Sequence, residues 1–520
     1  MLDNTWPQYI FIRTCVFVLQ WIGPLCFGYT ACTIGKAWPA LPAITAFRGW
    51  CAAESVFMLF FLWYRRHLQR EAIHPPPRSE EERRALFAHM TGEVHDLDKF
   101  MSGWFRGARP ENIGREDMKH FLNWAFWDGR ADMTEGSGDW KELEEYVDEV
   151  EAMMRRPFQP GCGAVNALRL TLDPIDMECR TLFWYFLMLM LDMITHCLMR
   201  FHGFQYFKTT VMSLQTWPPR PATWVEPERS PASTLSYWIR PHTSKTRLPI
   251  LYIHGIGVGL IPHVDFLHEL DAALNADDPS DGEIGILAIE LLQISSRITK
   301  PVLTRPEFLR ELTEVLDFHK YDRFVLASHS YGSVLSTHIL NDRTLASRVS
   351  ATLLIDPVSV LLHMPDVAYN FTVRPPKHAK EWQLWYFASK DPGVAHTLGR
   401  HFFWSENALW RDRIMELVQS GTRVTASLAG QDLIVDTEAV GAYLTKQQLP
   451  DPVMTHDDDG RKQMELQTSE ETSGDWKQKP WRGKGLEIIW WEGLDHGSIF
   501  ERPETRAKLV DVLVEYSKGS

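Results

Sequence analysis

The C-terminal half of this chain predicts an α/β protein built on a mostly parallel sheet, and three observations carry that prediction. Short apolar, β-rich runs recur after Leu248: LPILYIH, IGILAIELL, RFVLAS, ATLLID, RVTASLA and LEIIWW. Segments of helical periodicity separate them, which is the pattern of strands buried on both faces and joined by helical crossovers. The residues with chemical potential sit where these runs end, and open α/β sheets assemble their sites at the carboxyl ends of strands.

At 520 residues the chain is too long for one average domain. Its composition divides it into a membrane-anchoring region over 1–70, a mostly helical accessory region over 71–214 and an α/β unit over 215–520. A load of 21 Trp and 27 Phe is what apolar pockets and membrane interfaces require. The formal net charge of -13 argues against nucleic acid, because neutralising phosphates takes a basic face. The cysteines, at 15, 26, 32, 51, 162, 179 and 197, show no disulfide framework and exclude a thiol nucleophile from the C-terminal half.

The first element is CVFVLQWIGPLCFGYTACTI, Cys15 to Ile34, an uncharged run long enough to cross the hydrocarbon core as a helix. The second, Trp50 to Tyr64, contains Glu54 and ends in Arg65, Arg66, His67 and Arg70, a cluster that favours a cytoplasmic end. Together they predict a membrane hairpin with everything after Arg65 facing the cytosol. From Pro75 to Pro160 charged and apolar residues alternate at helical spacing. His89, His95, Asp96, Asp98 and His120 fall in that stretch without a metal-ligand motif, so helix surface polarity is the simpler reading and no metal is expected. A third apolar run, Leu182 to Met199, carries Asp192 and His196. An ionisable group at membrane depth is costly, which favours an interfacial or core helix here. If it crossed instead, Asn370-Phe371-Thr372 would be a glycosylation acceptor.

Pro218, Pro219, Pro221, Pro227 and Pro231 then mark an extended linker or edge passage. The strand Leu248 to Ile253 runs into His254-Gly255-Ile256-Gly257, a glycine-rich turn able to aim a backbone N–H at a developing oxyanion. The strand RFVLAS runs into Ser328-His329-Ser330-Tyr331-Gly332 and then an apolar helix. This is the context of a nucleophile elbow, with Ser328 in place of its usual first glycine. Ile256 and Tyr331 are the candidate oxyanion donors and Ser330 the candidate nucleophile.

An acid and a histidine should follow in that order, each after a later strand. Asp432 follows RVTASLA and His496 follows LEIIWW. His496 would move the Ser330 proton and Asp432 would orient and stabilise the imidazole. Asp356, after ATLLI, is the rival acid, and Asp495 reads as structural. Residues 451–485, with DDDG and SEETSGD, read as a solvated, mobile acidic insertion. Neither a Gly-x-Gly-x-x-Gly fingerprint nor a phosphate loop is present, so no cofactor is implied.

From about Leu248 onward the chain resembles the α/β-hydrolase superfamily, on His254-Gly255-Ile256-Gly257, the elbow at Ser330, Gly430-Gln431-Asp432 and Asp495-His496-Gly497. The resemblance implies a mostly parallel eight-stranded sheet flanked by helices, with a helical lid after the sixth strand, here about 362–420. It implies esterase, lipase, peptidase or thioesterase chemistry without choosing among them. Trp382, Trp385, Tyr386, Phe387, Phe402, Phe403 and Trp404 in that lid predict an apolar approach to Ser330, hence a lipophilic ester substrate at a membrane. An acyltransferase using the same triad, and an inactive hydrolase-fold scaffold that binds a lipid or protein, are the competing readings.

Overall fold

The structure, a computed structural model, describes residues 3–35, 42–209, 215–276, 280–445, 453–456, 462–465 and 475–519. Its centre is an eight-stranded sheet made of β1 (Gln205–Phe207), β2 (Ser236–Arg240), β3 (Ile250–Ile253), β4 (Ile286–Glu290), β5 (Phe324–His329), β6 (Val349–Ile355), β7 (Arg423–Ala429) and β10 (Leu486–Trp491). The order is β1-β2-β4-β3-β5-β6-β7-β10. Only β2 runs against its neighbours, and every pairing from β4 to β10 is parallel. The remaining two strands, β8 (Val453–His456) and β9 (Lys462–Glu465), pair only with each other.

All six apolar runs are strands of this sheet, and the period of two explains their composition. In β3, Leu251 and Ile253 enter one apolar layer while Ile250 and Tyr252 enter the other. Helices Arg305–Phe318 and Gly332–Asn341 cover the first layer, and Val264–Leu274 and Pro503–Ser517 the second. With both faces covered, the interior strands are mostly apolar, and their polar residues, such as Thr352, Thr425 and Ser427, are buried.

Sequence reasoning missed two strands of this sheet: β1, three residues long at the edge, and β2, which lies between β1 and β4 and whose run Ser236–Arg240 is short, with a polar residue at each end. β1 corrects the boundary drawn at 215, since it is hydrogen-bonded into the sheet ahead of it. The proline passage is corrected too: it docks on the sheet and is no linker. Arg220 is buried within it and donates to both oxygens of Glu290, at 2.6 and 2.7 Å.

The N-terminal half is helical: α1 (Trp6–Thr33), α2 (Pro42–Leu68), α3 (Glu80–Gly92), α4 (Leu97–Trp104), α5 (Arg115–Trp127), α6 (Gly138–Met154) and α7 (Leu182–Phe201). A capping box of Ser79 with Glu82 starts α3, and Ser137 caps α6. The polar candidates over 89–120 act locally: Asp96 caps α4, Asp98 pairs with Arg156, and His89 packs on Trp410. The apolar faces of α3 to α6 meet in one cluster around Phe87, Phe121, Trp124 and Tyr146 that also takes in Ala368 and Trp404. Trp404 Nε1 donates to the Ala125 carbonyl at 3.0 Å, so the helical region and the 362–420 segment share a core.

By length and apolarity α1, α2 and α7 are each able to cross a membrane, and α1 and α2 extend past the uncharged runs that predict them. Ile12, Val16 and Leu19 of α1 pack with Phe61 of α2, with Trp184 and Tyr185 of α7, and with Tyr386. Their other faces leave Trp6, Phe11, Phe17, Trp21 and Leu25 exposed. The ionisable groups that argued against a crossing by α7 all point inward. Asp192 pairs with Arg297 at 2.6 Å, and His196 Nε2 lies 2.8 Å from Glu226, while Phe186, Met190 and Ile194 face out. Glu54, midway along α2, accepts the first two amides of α7 from Leu182 and Phe183.

Most of the expected acidic insertion lies outside the described residues. Its end is corrected, because Trp476 is buried between Gly441 and Trp490 and packs on the sheet.

Candidate active site

The chain reverses sharply between β5 and the helix Gly332–Asn341, and the turn has little room. Ser330 sits at φ 53°, in the left-handed region that side chains avoid. A Cβ on Gly332 would stand 2.4 Å from the Ile253 carbonyl oxygen, and one on Gly255 would stand 2.7 Å from the Ser330 Cβ. Glycine is therefore required at both places, and Ser328, fully buried, fits where the usual first glycine would be. The strained turn lifts the Ser330 side chain above the ends of β3 and β5.

Loops after β7 and β10 bring the other groups to it. His496 Nε2 is 2.8 Å from Ser330 Oγ, and its Nδ1 is 2.6 Å from Asp432 Oδ2. When the ring is neutral, these contacts suit the tautomer that donates from Nδ1 to Asp432 and accepts at Nε2 from Ser330. Asp432 is held in turn by the amides of Ile434 and Val435, which donate to its Oδ1 at 2.7 and 3.0 Å. Burial alone would depress the His496 pKa. Asp432 outweighs it, with help from Asp356 and Asp495, and the pKa rises to about 9.

Asp356, the rival acid, lies against the same histidine without taking its proton. Its carboxylate accepts from the amides of Ala429 at 3.1 Å and Gly497 at 2.8 Å, pinning the β7 end and the histidine loop together. Burial raises its pKa to about 7, and the neighbouring charge of Asp432 adds to the rise. Asp495 is structural, as its position suggests. It accepts from the amides of Leu433 and His496 and pairs with Lys380 at 2.8 Å.

Sequence reasoning missed the histidines beneath Ser330. His329 and His263 are buried with ring nitrogens 3.3 Å apart, and burial holds both below the ordinary imidazole range. Only their adjacency in space reveals them. Lys380 was invisible for the same reason.

Ile256 and Tyr331 line a small cavity together with Ser330, and neither of their backbone amides donates to another backbone group among the described residues. This cavity of about 40 Å³ is walled by Leu170, Val358, Val367, Phe371, Leu398 and Phe402. It is apolar but has space for only a few waters. Of the seven aromatics expected to line the approach, only Phe402 does so. Trp382, Trp385, Tyr386 and Phe387 pack toward α1 and α7, Phe403 meets His74, and Trp404 enters the helical core. Asn370 donates its amide to the Ile434 carbonyl beside the site, so it is no accessible glycan acceptor.

A nearly all-parallel sheet with a serine elbow at β5 and a histidine loop at its far edge is the architecture of α/β hydrolases. The profile of the alpha/beta hydrolase family matches residues 250–509, and the chain belongs to that family. Comparison with curated proteins finds no match. Several solved structures are similar to this chain at low identity. A membrane phospholipase A described as a bacterial virulence factor is 12% identical over 64% of this chain and 93% of its own, with a TM-score of 0.37. An esterase from Pyrobaculum calidifontis is 12% identical over 64% and 90%, at 0.36. A carboxylesterase from Nitrososphaera gargenis is 14% identical over 56% and 98%, at 0.33.

Proposed function

We propose that this hydrolase cleaves a lipophilic carboxylic ester through an acyl-enzyme on Ser330, while attached to a membrane by its N-terminal helices. The observation that carries the reading is the pair of contacts at His496: 2.8 Å to Ser330 Oγ and 2.6 Å to Asp432. In this scheme Ser330 Oγ attacks the ester carbonyl as His496 Nε2 takes its proton. The oxyanion settles on the amides of Ile256 and Tyr331, and the proton returns to the departing alcohol. Water, activated by the same histidine, then releases the acid. Asp432 keeps the imidazole oriented and stabilises its cation, and Asp356 braces the loop that carries it.

The apolar cavity wall supports a lipophilic acyl group. A cavity of about 40 Å³ is too small for a long chain, so residues 362–420 act in this reading as a lid whose Val367, Phe371, Leu398 and Phe402 withdraw when substrate enters. The exposed apolar faces of α1, α2 and α7 support membrane attachment, with the catalytic unit on the cytosolic side marked by Arg65, Arg66, His67 and Arg70. The test is a fluorophosphonate probe applied to detergent-solubilised protein and read by intact mass. Wild type should gain one adduct, and Ser330→Ala and His496→Ala none. A folded wild type that stays unlabelled would favour the inactive scaffold.

A further inference from the structure

Where α2 ends, its last residues, the loop to Ile73, residues 293–301 and the helix Pro392–Arg400 enclose a second cavity of about 250 Å³. Seven cationic or protonatable side chains line it: His67, Arg70, Arg297, Lys300, His396, Arg400 and His401. Glu71 is the one carboxylate among the lining residues, Arg297 is paired with Asp192 at 2.6 Å, and the chain as a whole carries a net charge of -13. A local excess of positive charge in so acidic a chain needs a reason. Among the described residues Arg70, Lys300 and Arg400 form no ion pair. The buried Arg400 guanidinium spends its donors on carbonyls instead, on Arg70 at 2.6 Å, Asp173 at 3.1 Å and Gln69 at 3.4 Å. It thereby ties the end of α2 to the cavity wall without a direct ion pair, and the nearby Asp173 and Glu71 only partly offset its charge. Burial first, and then the positive potential of His401, Arg400 and His67, holds His396 neutral, down at about 3.

We propose that this cavity binds a phosphate-bearing anion, and that its position at the charged end of an apolar helix makes it a site for the headgroup of an acidic phospholipid. Arginine and lysine supply charge and donors to phosphate oxygens, and an anion seated there offsets that positive potential. The site is separate from Ser330 and does not depend on its chemistry. Only the lipid source rests on the proposed membrane attachment.

The experiment titrates a fluorescent short-chain phosphatidic acid into the full-length protein in neutral detergent, with the matching phosphatidylcholine as reference. Wild type should bind the acidic lipid at least about tenfold more tightly than the neutral one, and Arg70→Gln with Lys300→Gln should remove that preference. Both residues are exposed, so the variant should fold, which retained fluorophosphonate labelling or an unchanged melting curve would verify. Arg65→Gln with Arg66→Gln removes equal charge just outside the cavity and should change binding by no more than about threefold. Competition by inorganic phosphate would assign the site to free phosphate, and its absence to the lipid. Equal binding of the two lipids by wild type would overturn the proposal, as would equal losses in the two double variants.

Discussion

Strand β6 and helix α1 are built from the same kinds of side chain, yet they meet opposite surroundings. Every residue of β6 is buried between two helical layers, whereas α1 keeps one stripe against the body and exposes Trp6, Phe11, Phe17, Trp21 and Leu25. Apolarity says that a segment must leave water but not what replaces the water. For β6 the answer is the chain itself, supplied on both faces by crossover helices. For α1 the chain covers one face only, and the proposed membrane attachment would put a bilayer against the other.

The sheet side of this contrast makes the strongest demands. Ser330→Ala and His496→Ala should each lower turnover by about 10⁴-fold or more, measured with a chromogenic ester, because the triad acts as a unit. A loss below about tenfold would remove Ser330 from the chemistry. Asp432→Asn should cost about 10³-fold and Asp356→Asn much less, since only Asp432 bonds the imidazole. The pH profile separates the two carboxylates further. His496 must be neutral to act as base, and its raised pKa places the acid limb of kcat/KM above the ordinary imidazole value, toward about 9. Asp432→Asn should move that limb to lower pH. The same shift links to stability: a histidine whose folded pKa is raised stabilises the fold fully below about pH 6.5 and loses that contribution as pH rises through about 9. Urea unfolding of Ser330→Ala across this range should show the decline.

Packing supplies the smaller effects. Leu353→Ala in the middle of β6 should cost about 2–5 kcal/mol in urea unfolding, because the site is closed on both faces and cannot collapse. Leu25→Ala on the exposed face of α1 should change stability in detergent by about 0.5 kcal/mol or less, while weakening partition into vesicles. If Leu25→Ala destabilised the detergent-solubilised protein as much as Leu353→Ala does, the outward face would be a packed interface and the contrast would fail.

Much of this was written locally. The six long strands, the elbow at Ser330 and the order of acid and histidine are contiguous patterns whose cause lies within a few residues: burial on both faces, a tight turn that admits only small neighbours, loops at strand ends. Tertiary structure alone decided the rest. Whether Asp432 or Asp356 reaches His496 depends on how two loops cross above the sheet, and both had the right residue in the right kind of place. The aromatics of residues 362–420 were legible as apolar, but their partners, α1, α7 and the helical core, come from the far end of the chain. The cationic cavity draws on residues 67–71, 300 and 396–401, which no periodicity connects. Hydrophobic pattern and turn chemistry act over a few residues and leave a trace in the sequence there, whereas a distance between side chains hundreds of residues apart exists only once the chain has folded.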